Sequence, residues 1–254
     1  MGGAQADKAA RLVAESDPVV VIDNDARRFV SRGGQKLEAA LDRFGVVVTG
    51  RRCLDAGAST GGFTDCLLRR GASVVVAVDV GHGQLDATLR HDPRVEVLER
   101  TNVRTLRPAA VGGVPFDVLV ADLSFISLVT VAPVLLGPLA RPGAEVVVLV
   151  KPQFEAGRPE VSRGKGVIHD PVVRRAALHK VASAFASQGA TIMGAMASPL
   201  LGPAGNAEFL LHARAPGAPG IPSTPPDTDT WASMLDAAVV QAPDGAMAPV
   251  PEDG

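Results

Sequence analysis

The chain has 254 residues, 46% of them hydrophobic, and a formal net charge of −2, which suits one sizeable α/β domain with short appendages. Its two cysteines, Cys53 and Cys66, argue against a disulfide framework and for a reducing compartment. No apolar run is as long as a membrane-spanning helix, and the N-terminus lacks a charged-then-apolar signal pattern. We therefore expect a cytoplasmic protein with no membrane partner.

The acidic balance comes from the end of the chain. Residues 215–254 hold six acidic residues and no Lys or Arg, so the first 214 residues hold 25 basic against 21 acidic residues, a net charge of +4. A weakly basic body with an acidic tail is compatible with RNA contact. An ordinarily solvated surface explains the same charges equally well, so charge alone leaves the partner open.

The first predicted elements precede the main alternating pattern. Residues 7–15 fit a short helix and residues 18–22 fit a short strand. Ser31 is the expected N-cap of a helix over residues 34–44, which has apolar side chains along one stripe. The members of that stripe are Leu37, Ala40, Leu41 and Phe44.

From residue 51 onwards, strand and helix patterns alternate, which is typical of a parallel sheet with helices on both faces. Strands are predicted at residues 52–55, 74–79, 95–98, 117–121, 145–150, 190–197 and 207–213. Helices are predicted at residues 62–70, 84–91, 126–140 and 171–188.

Two segments interrupt this alternation. Residues 152–170 are rich in glycine and charge and directly follow an apolar strand, so we expect a long loop that is functional or mobile. Residues 216–230 are rich in proline and indicate a linker. After the linker, a short helix over residues 231–240 and a disordered acidic end are expected.

The most informative stretch is RRCLDAGASTGG at residues 51–62, followed by VVVAVDVG at residues 74–81. It combines an apolar strand, a glycine-rich turn, a helix and a second strand that ends in a carboxylate. This order builds a nucleotide pocket at the carboxyl ends of parallel strands, where backbone N–H groups face the ligand. Gly57, Gly61 and Gly62 allow the backbone to pass close to that ligand.

Two acidic residues of this stretch indicate which nucleotide binds. Asp79 lies 24 residues beyond Asp55, where a carboxylate can accept hydrogen bonds from both hydroxyls of a ribose. No Lys-Ser/Thr pair follows the glycines and no GxGxxG is present, which argues against a phosphate-binding loop. Asp55 would repel a pyrophosphate but suits a cationic amino acid. S-adenosylmethionine (SAM) is therefore favoured over a dinucleotide.

Further charged residues lie at the ends of other elements. Asp122 ends one apolar strand pattern and Lys151 ends the next, so we expect an acid and an ammonium side by side at the pocket mouth. An ion pair that only caps the sheet edge is the alternative. Lys36, in the first helix, and Glu208, inside the last strand pattern, individually fit a solvated lysine and an edge-strand carboxylate. No Cys/His cluster indicates a metal site.

Aromatic residues are few, with eight Phe, one Trp and no Tyr. Phe125 and Phe154 are the best candidates for stacking on a flipped nucleobase. Core packing explains Phe125 equally well.

Several blocks of the sequence, taken in order, point to a known family. They are SRGGQKLEAAL, CLDAGASTGGFTDCLL, VDVGHGQL, LERTNVR, ADLSFISL, LVKPQFEAG, GVIHDP and ASPLLGPAGNAEFLL. Together, over residues 28–211, they resemble the TlyA-type, haemolysin A-like ribosomal RNA methyltransferases of the FtsJ-like group. The resemblance implies an α/β, Rossmann-like SAM-dependent methyltransferase with helices on both faces of a seven-stranded, mostly parallel sheet, whose last strand is antiparallel.

The resemblance also implies a Lys-Asp-Lys-Glu catalytic set, here Lys36, Asp122, Lys151 and Glu208. Lys151 is expected to take the proton of a ribose 2′-hydroxyl, which requires surroundings that favour the neutral amine. The implied SAM-binding residues are Asp55, Gly57, Ala58, Ser59, Thr60, Gly61, Gly62, Phe63, Asp79, Val80, Asn102, Asp122 and Leu123. Asp79 is assigned to the ribose, Asn102 to the adenine and Asp122 to the methionine end.

Members of this family usually begin with an S4 RNA-binding domain, and residues 1–30 resemble only its last piece. We expect a remnant of that domain there, a methyltransferase domain over residues 31–214 and a tail over residues 215–254. The implied function is 2′-O-methylation of ribosomal RNA, usually at cytidine, with ribosomal RNA or a ribosomal subunit as the partner.

Two alternatives stay open. Methylation of a small metabolite is favoured by the short N-terminal segment and the acidic overall charge. A membrane-active haemolysin is suggested by the family's name, but neither a spanning segment nor a basic amphipathic helix is visible in the sequence.

Overall fold

The computed structural model describes residues 29–164, 166–217 and 228–242. The strands in these ranges are β1 (Arg52–Ala56), β2 (Val74–Val78), β3 (Val95–Leu98), β4 (Phe116–Ala121), β5 (Ala140–Val150), β6 (Thr191–Ala197) and β7 (Phe209–Arg214). The helices are α1 (Gly33–Phe44), α2 (Gly62–Arg69), α3 (Ala87–Arg90), α4 (Leu128–Leu136), α5 (Pro152–Glu155), α6 (Arg158–Arg163), α7 (Pro171–Ser187) and α8 (Thr228–Val240). Two 3₁₀ turns span Val103–Thr105 and Pro108–Val111.

The strands form one seven-stranded sheet in the order β3-β2-β1-β4-β5-β7-β6. Strand β7 is antiparallel to both of its neighbours, and the remaining pairs are parallel. The predicted mostly parallel sheet with an antiparallel last strand is therefore confirmed. The chain runs outwards from β1 to β3 and then returns to β4, so the carboxyl ends of β1 and β4 flank a switch point where α/β proteins bind ligands.

Helices bury the sheet on both faces. Successive residues of a strand point to opposite faces, and in β5 Val146 belongs to the core beneath α4, α7 and α8, whereas Val147 belongs to the core beneath α1 and α2. A strand buried on both sides needs apolar residues throughout, which explains the continuous valine runs of β2 and β5.

Several predicted boundaries differ from the structure. The prediction of one long loop over residues 152–170 is wrong, because α5 and α6 lie within it, each with a proline in its first two positions, where proline favours a helix start. Strand β5 begins at Ala140 rather than at the predicted 145. Helix α4 accordingly ends earlier, at Leu136 rather than at 140. Helix α3 is limited to Ala87–Arg90 instead of 84–91.

The start of α1 also differs from the prediction. Ser31 is not the N-cap; that position is Arg32, whose side chain makes no capping hydrogen bond. The Ser31 hydroxyl instead lies against the start of α2, where a Cβ atom on Gly62 would come within 2.1 Å of it. Since only glycine permits this approach, α1 begins directly beside the turn that follows β1.

Helix α8 closes the core at the far end of the sheet. Its side chains Trp231, Leu235 and Ala238 are buried, and Leu235 is 0% exposed. The helix packs on α7 and β6, and begins at Thr228 rather than at the predicted 231. Residues 218–227 of the predicted linker, the acidic end after residue 242 and nearly all of the predicted S4 remnant lie outside the described residues. Within the described ranges, no helix is long and apolar enough to cross a membrane.

Replacing Leu235 by alanine tests whether α8 is part of the folded core. We expect Leu235→Ala to lower the free energy of unfolding by about 2–5 kcal/mol, because it leaves a cavity among buried side chains. Val240, on the same helix but 82% exposed, is the control, and Val240→Ala should change the free energy by less than about 0.5 kcal/mol. Urea denaturation measures both, and equal effects would contradict the assignment.

Candidate active site

A cavity of about 270 Å³ opens at the carboxyl ends of β1, β4 and β5. The turn after β1, the start of α1, the residues after β4 and β5 and the turn before β7 all contribute to its wall. The four residues assigned to the catalytic set, Lys36, Asp122, Lys151 and Glu208, all line this cavity. The structure therefore brings together four residues that come from four separate parts of the chain.

Lys36 and Glu208 form a buried ion pair across one side of the cavity. Lys36 Nζ lies 2.5 Å from Glu208 Oε2, and the two residues are 7% and 2% exposed. The prediction that Glu208 lies inside the last strand is wrong. It lies immediately before β7, at the end of a tight turn. Because either charge alone would be costly to bury, each residue requires the other.

Lys151 and Asp122 form the second ion pair. They directly follow the adjacent parallel strands β5 and β4, and Lys151 Nζ lies 2.6 Å from Asp122 Oδ1. Lys151 also donates a hydrogen bond to Ser124 Oγ at 3.1 Å. This pair is more accessible than the first. The Asp122 side chain is 24% exposed against 1% for Glu208, and the Lys151 side chain is 12% exposed against 9% for Lys36.

The glycine turn after β1 forms the opposite wall. Gly57 has φ +86°, and a Cβ atom there would lie 2.4 Å from the Asp122 carbonyl oxygen, so only glycine fits between β1 and β4. Ser59 donates its backbone N–H to Asp79 Oδ2 at 2.8 Å, and Gly81 donates to Asp79 Oδ1 at 2.7 Å. Each oxygen of Asp79 keeps a free lone pair, and the residue lines a second depression of about 10 Å³ beside the turn.

Asp55 lies beneath the turn rather than in the cavity wall. It is 0% exposed and accepts a hydrogen bond from Thr64 Oγ1 at 2.7 Å. Burial raises the pKa of the Asp55 carboxyl to about 7, with smaller contributions from the charges of Asp122 and Asp79. The side chain therefore supports the turn from below, and it is not positioned to touch a ligand in the cavity.

The other residues assigned to the cofactor fall into two groups. Ala58, Ser59, Thr60, Gly62 and Phe63 line the larger cavity. Gly61, Val80, Asn102 and Leu123 line neither depression. Of these, Asn102 caps a 3₁₀ turn and Leu123 packs against the position of Gly57.

Sequence reasoning did not assign Ser31, Gly33, Ser124 or Pro203 to the site, although all four line the cavity. Each lies in a sequence block that also contains an assigned residue. Their position in those blocks is the sequence signal that could have identified these four residues as part of the site.

The FtsJ-like methyltransferase family model matches residues 29–215. The chain belongs to the FtsJ-like methyltransferases. The 16S/23S rRNA (cytidine-2'-O)-methyltransferase TlyA of Mycobacterium tuberculosis is 53% identical over 212 residues, which cover 84% of this chain and 78% of that protein. Hemolysin A of Brachyspira hyodysenteriae is 40% identical over 212 residues, which cover 84% of this chain and 87% of that protein.

Solved structures agree with the fold. A protein from Lactococcus lactis with 40% sequence identity superposes with a TM-score of 0.74, over 83% of this chain and 98% of that chain. The N-methyltransferase NodS from Bradyrhizobium japonicum has only 15% identity and a TM-score of 0.52, over 77% of this chain and 99% of that chain. The latter shows that the Rossmann-like methyltransferase fold is shared at low identity.

As a member of this family, the chain is a SAM-dependent methyltransferase. The residues present fit that donor, because the glycines of the turn leave backbone bare at the cavity wall and Asp79 has lone pairs left for ribose hydroxyls. A carboxylate at Asp122 also suits a cationic sulfonium. Among the described residues, no group of His, Cys, Asp and Glu is arranged to hold a metal ion.

The buried carboxyl of Asp55 predicts a pH dependence of stability. Because its pKa rises from 3.8 to about 7 on folding, the folded state keeps a proton that the unfolded chain loses between these values. The free energy of unfolding of the wild type, relative to Asp55→Asn, should therefore be greatest below about pH 4 and fall by up to about 4 kcal/mol towards pH 7. Urea denaturation across this range measures the difference.

Asp42 provides the control for this experiment. Its hydrogen bond with Arg70 lowers the pKa of the Asp42 carboxyl, so this group is ionised in both the folded and the unfolded state over nearly all of the range from pH 4 to pH 7. The change in the free energy of unfolding across this range should therefore be the same for Asp42→Asn as for the wild type. An Asp55→Asn difference that does not vary with pH would show that Asp55 is ionised in the folded protein.

Proposed function

We propose that this chain transfers the methyl group of SAM to the 2′-hydroxyl of a cytidine ribose in ribosomal RNA, with Lys36, Asp122, Lys151 and Glu208 as the catalytic set. The observation that carries this proposal is the convergence of two lysines and two acids on one cavity beside the glycine turn. The M. tuberculosis relative, named as an rRNA (cytidine-2'-O)-methyltransferase, supports the choice of acceptor. The proposal includes a cytoplasmic location, where ribosomes are found, and a methyltransferase domain over residues 31–214.

Lys151 is the proposed base. SAM supplies an electrophilic methyl group on a positively charged sulfur, and a ribose hydroxyl attacks it efficiently only while losing its proton. Lys151 is more exposed than Lys36 and contacts Ser124 near the mouth of the cavity. To act as the base, Lys151 must first lose its own proton. An acceptor that covers this mouth removes the water that solvates the ammonium, and so acts against the charge that Asp122 favours.

The remaining members of the set position the reactants. Asp122 holds Lys151 at 2.6 Å and adds a negative charge on the side of the cavity that faces the turn. Glu208 holds Lys36 at 2.5 Å, which leaves one fixed ammonium to orient the acceptor. Correct placement of two reactants alone can lower a barrier by about 7–11 kcal/mol.

A pair of aromatic rings adjoins the proposed base. Phe125 is 91% exposed, so the core-packing alternative for this residue is wrong. Its ring lies 5.2 Å from that of Phe154, and Lys151 Nζ lies 5.8 Å from the Phe154 ring centroid. In this proposal Phe125 stacks on the base of the target nucleotide, a contact worth about 1–3 kcal/mol per base.

Methyl transfer to RNA tests the function directly. Ribosomal RNA transcripts and isolated subunits are incubated with the protein and methyl-labelled SAM, with and without a separately added S4 module. We expect label on a cytidine ribose, detected as a linkage resistant to alkaline hydrolysis, and more label with the S4 module because it adds phosphate contacts. Absence of label on every RNA and subunit, together with label on a metabolite extract, would favour the small-molecule alternative.

Substitution of Lys151 tests the mechanism. Lys151→Ala should lower turnover by about 10²–10⁴-fold, the usual contribution of a general base, while the Kd for SAM stays nearly unchanged. Lys151→Arg should be equally inactive, because a guanidinium does not give up its proton. Arg43→Ala, at the exposed end of α1, is the charge-removal control. Near-normal turnover by Lys151→Ala would remove this residue from the mechanism.

A further inference from the structure

Two segments run side by side along the acceptor side of the cavity. One follows β4 (residues 122–128) and the other follows β5 (residues 151–155). Three successive contacts join them, namely Lys151 to Ser124, Phe154 to Phe125, and Glu155 to Ser127 and Leu128. The first contact lies at the cavity wall and the second involves the exposed Phe125 and the half-buried Phe154. The third lies behind them, where Glu155 and Leu128 are buried.

Glu155 makes this third contact with both carboxylate oxygens. It is 3% exposed, although it ends a helix of only four residues. Oε2 accepts a hydrogen bond from Ser127 Oγ at 2.5 Å, and Oε1 accepts one from the backbone N–H of Leu128 at 2.7 Å. Lys180, on α7, donates to the Glu155 carbonyl oxygen at 2.7 Å. The residue is therefore fixed to α7 by its backbone and to the start of α4 by its side chain.

The segment after β4 needs such a support. Phe125 has φ +64°, a left-handed conformation that costs a residue with a side chain about 1–2 kcal/mol. Its ring is almost fully exposed, so burial of Phe125 itself does not offset that cost. The bonds from Glu155 to Ser127 and Leu128 hold the chain two and three residues after Phe125 and thereby stabilise the strained conformation.

We propose that Glu155 is a positioning residue for methyl transfer. By tying the segment after β4 to the segment after β5, it fixes Ser124 and Phe125 relative to Lys151 on the acceptor side. This inference rests on the proposed function, in which Lys151 meets the acceptor. The donor side should not depend on Glu155, because the glycine turn and Asp79 follow β1 and β2 and make no hydrogen bond with it.

Two substitutions at Glu155 and one matched control test the proposal. Glu155→Ala removes both side-chain hydrogen bonds. Glu155→Gln retains an oxygen for the Leu128 N–H and an amide that can donate to Ser127 Oγ. Glu145→Ala is the control, because Glu145 also makes two side-chain contacts, with His212 and Arg214, but in the middle of β5 and away from the residues that line the cavity. Each variant is assayed for turnover, acceptor KM, SAM affinity by calorimetry, and hydrogen exchange of the amides at residues 124–128.

The expected results separate the acceptor side from the donor side. Glu155→Ala should lower kcat/KM for the RNA acceptor by about 10–100-fold, since a misplacement of about 1 Å can cost two orders of magnitude. Its affinity for SAM should stay within about twofold of the wild type, and the Leu128 amide should exchange faster. Glu155→Gln should recover most of the activity, and Glu145→Ala should keep it.

Several outcomes would overturn the proposal. If Glu155→Ala turns over as fast as Glu145→Ala, Glu155 does not position the site. If the Leu128 amide exchanges as slowly in Glu155→Ala as in the wild type, Glu155 does not hold the segment after β4, even before an acceptor binds. A loss of SAM affinity matching the loss of turnover would indicate general damage to the fold. If the wild type methylates no RNA, the proposed function fails, and the exchange data still decide whether Glu155 holds the segment. If Glu155→Ala does not fold, Ser127→Ala, which removes the hydrogen bond to Glu155 Oε2, carries the kinetic test, and kcat/KM equal to that of the wild type would then contradict the proposal.

Discussion

The buried ion pair between Lys36 and Glu208 fixes the geometry on which the site depends. Breaking such a pair on one side leaves an uncompensated charge in the interior, at a cost of about 3–5 kcal/mol. The pair therefore holds the start of α1 against the turn before β7. Because both also line the cavity, the ion pair also sets the width of the candidate active site.

The parallel strands supply the rest of the site by bringing their carboxyl ends to one edge. Asp122 and Lys151 meet because β4 and β5 are neighbours in register, and the turn after β1 approaches Asp122 as closely as it does because position 57 is glycine. Behind this first layer lie Asp55 and Glu155, two buried carboxyls that do not line the cavity. The accessible groups are held in place by groups that a ligand does not reach.

The sequence predicted what depends on local pattern and missed what depends on tertiary contact. Strand β2 was predictable because a run of valines fits a strand buried on both faces. Lys36 and Glu208 are 172 residues apart, so no periodicity relates them, and only the family resemblance placed them in one site. Ser31 is a residue type that often caps helices, but its hydroxyl packs against the start of α2 and Arg32 takes the N-cap position. Glu155 looks like a surface acid because nothing in its neighbourhood reveals the distant start of α4.

Helix α8 has a consequence for the order in which the protein matures. Its side chains Trp231 and Leu235 belong to the same apolar cluster as residues of β1, β4 and β5, yet they lie beyond the 29–215 span of the family match. A nascent chain that has reached residue 215 has all seven strands but still exposes the face that α8 later covers. Completion of the interior must therefore wait until residues 228–240 have left the translating ribosome.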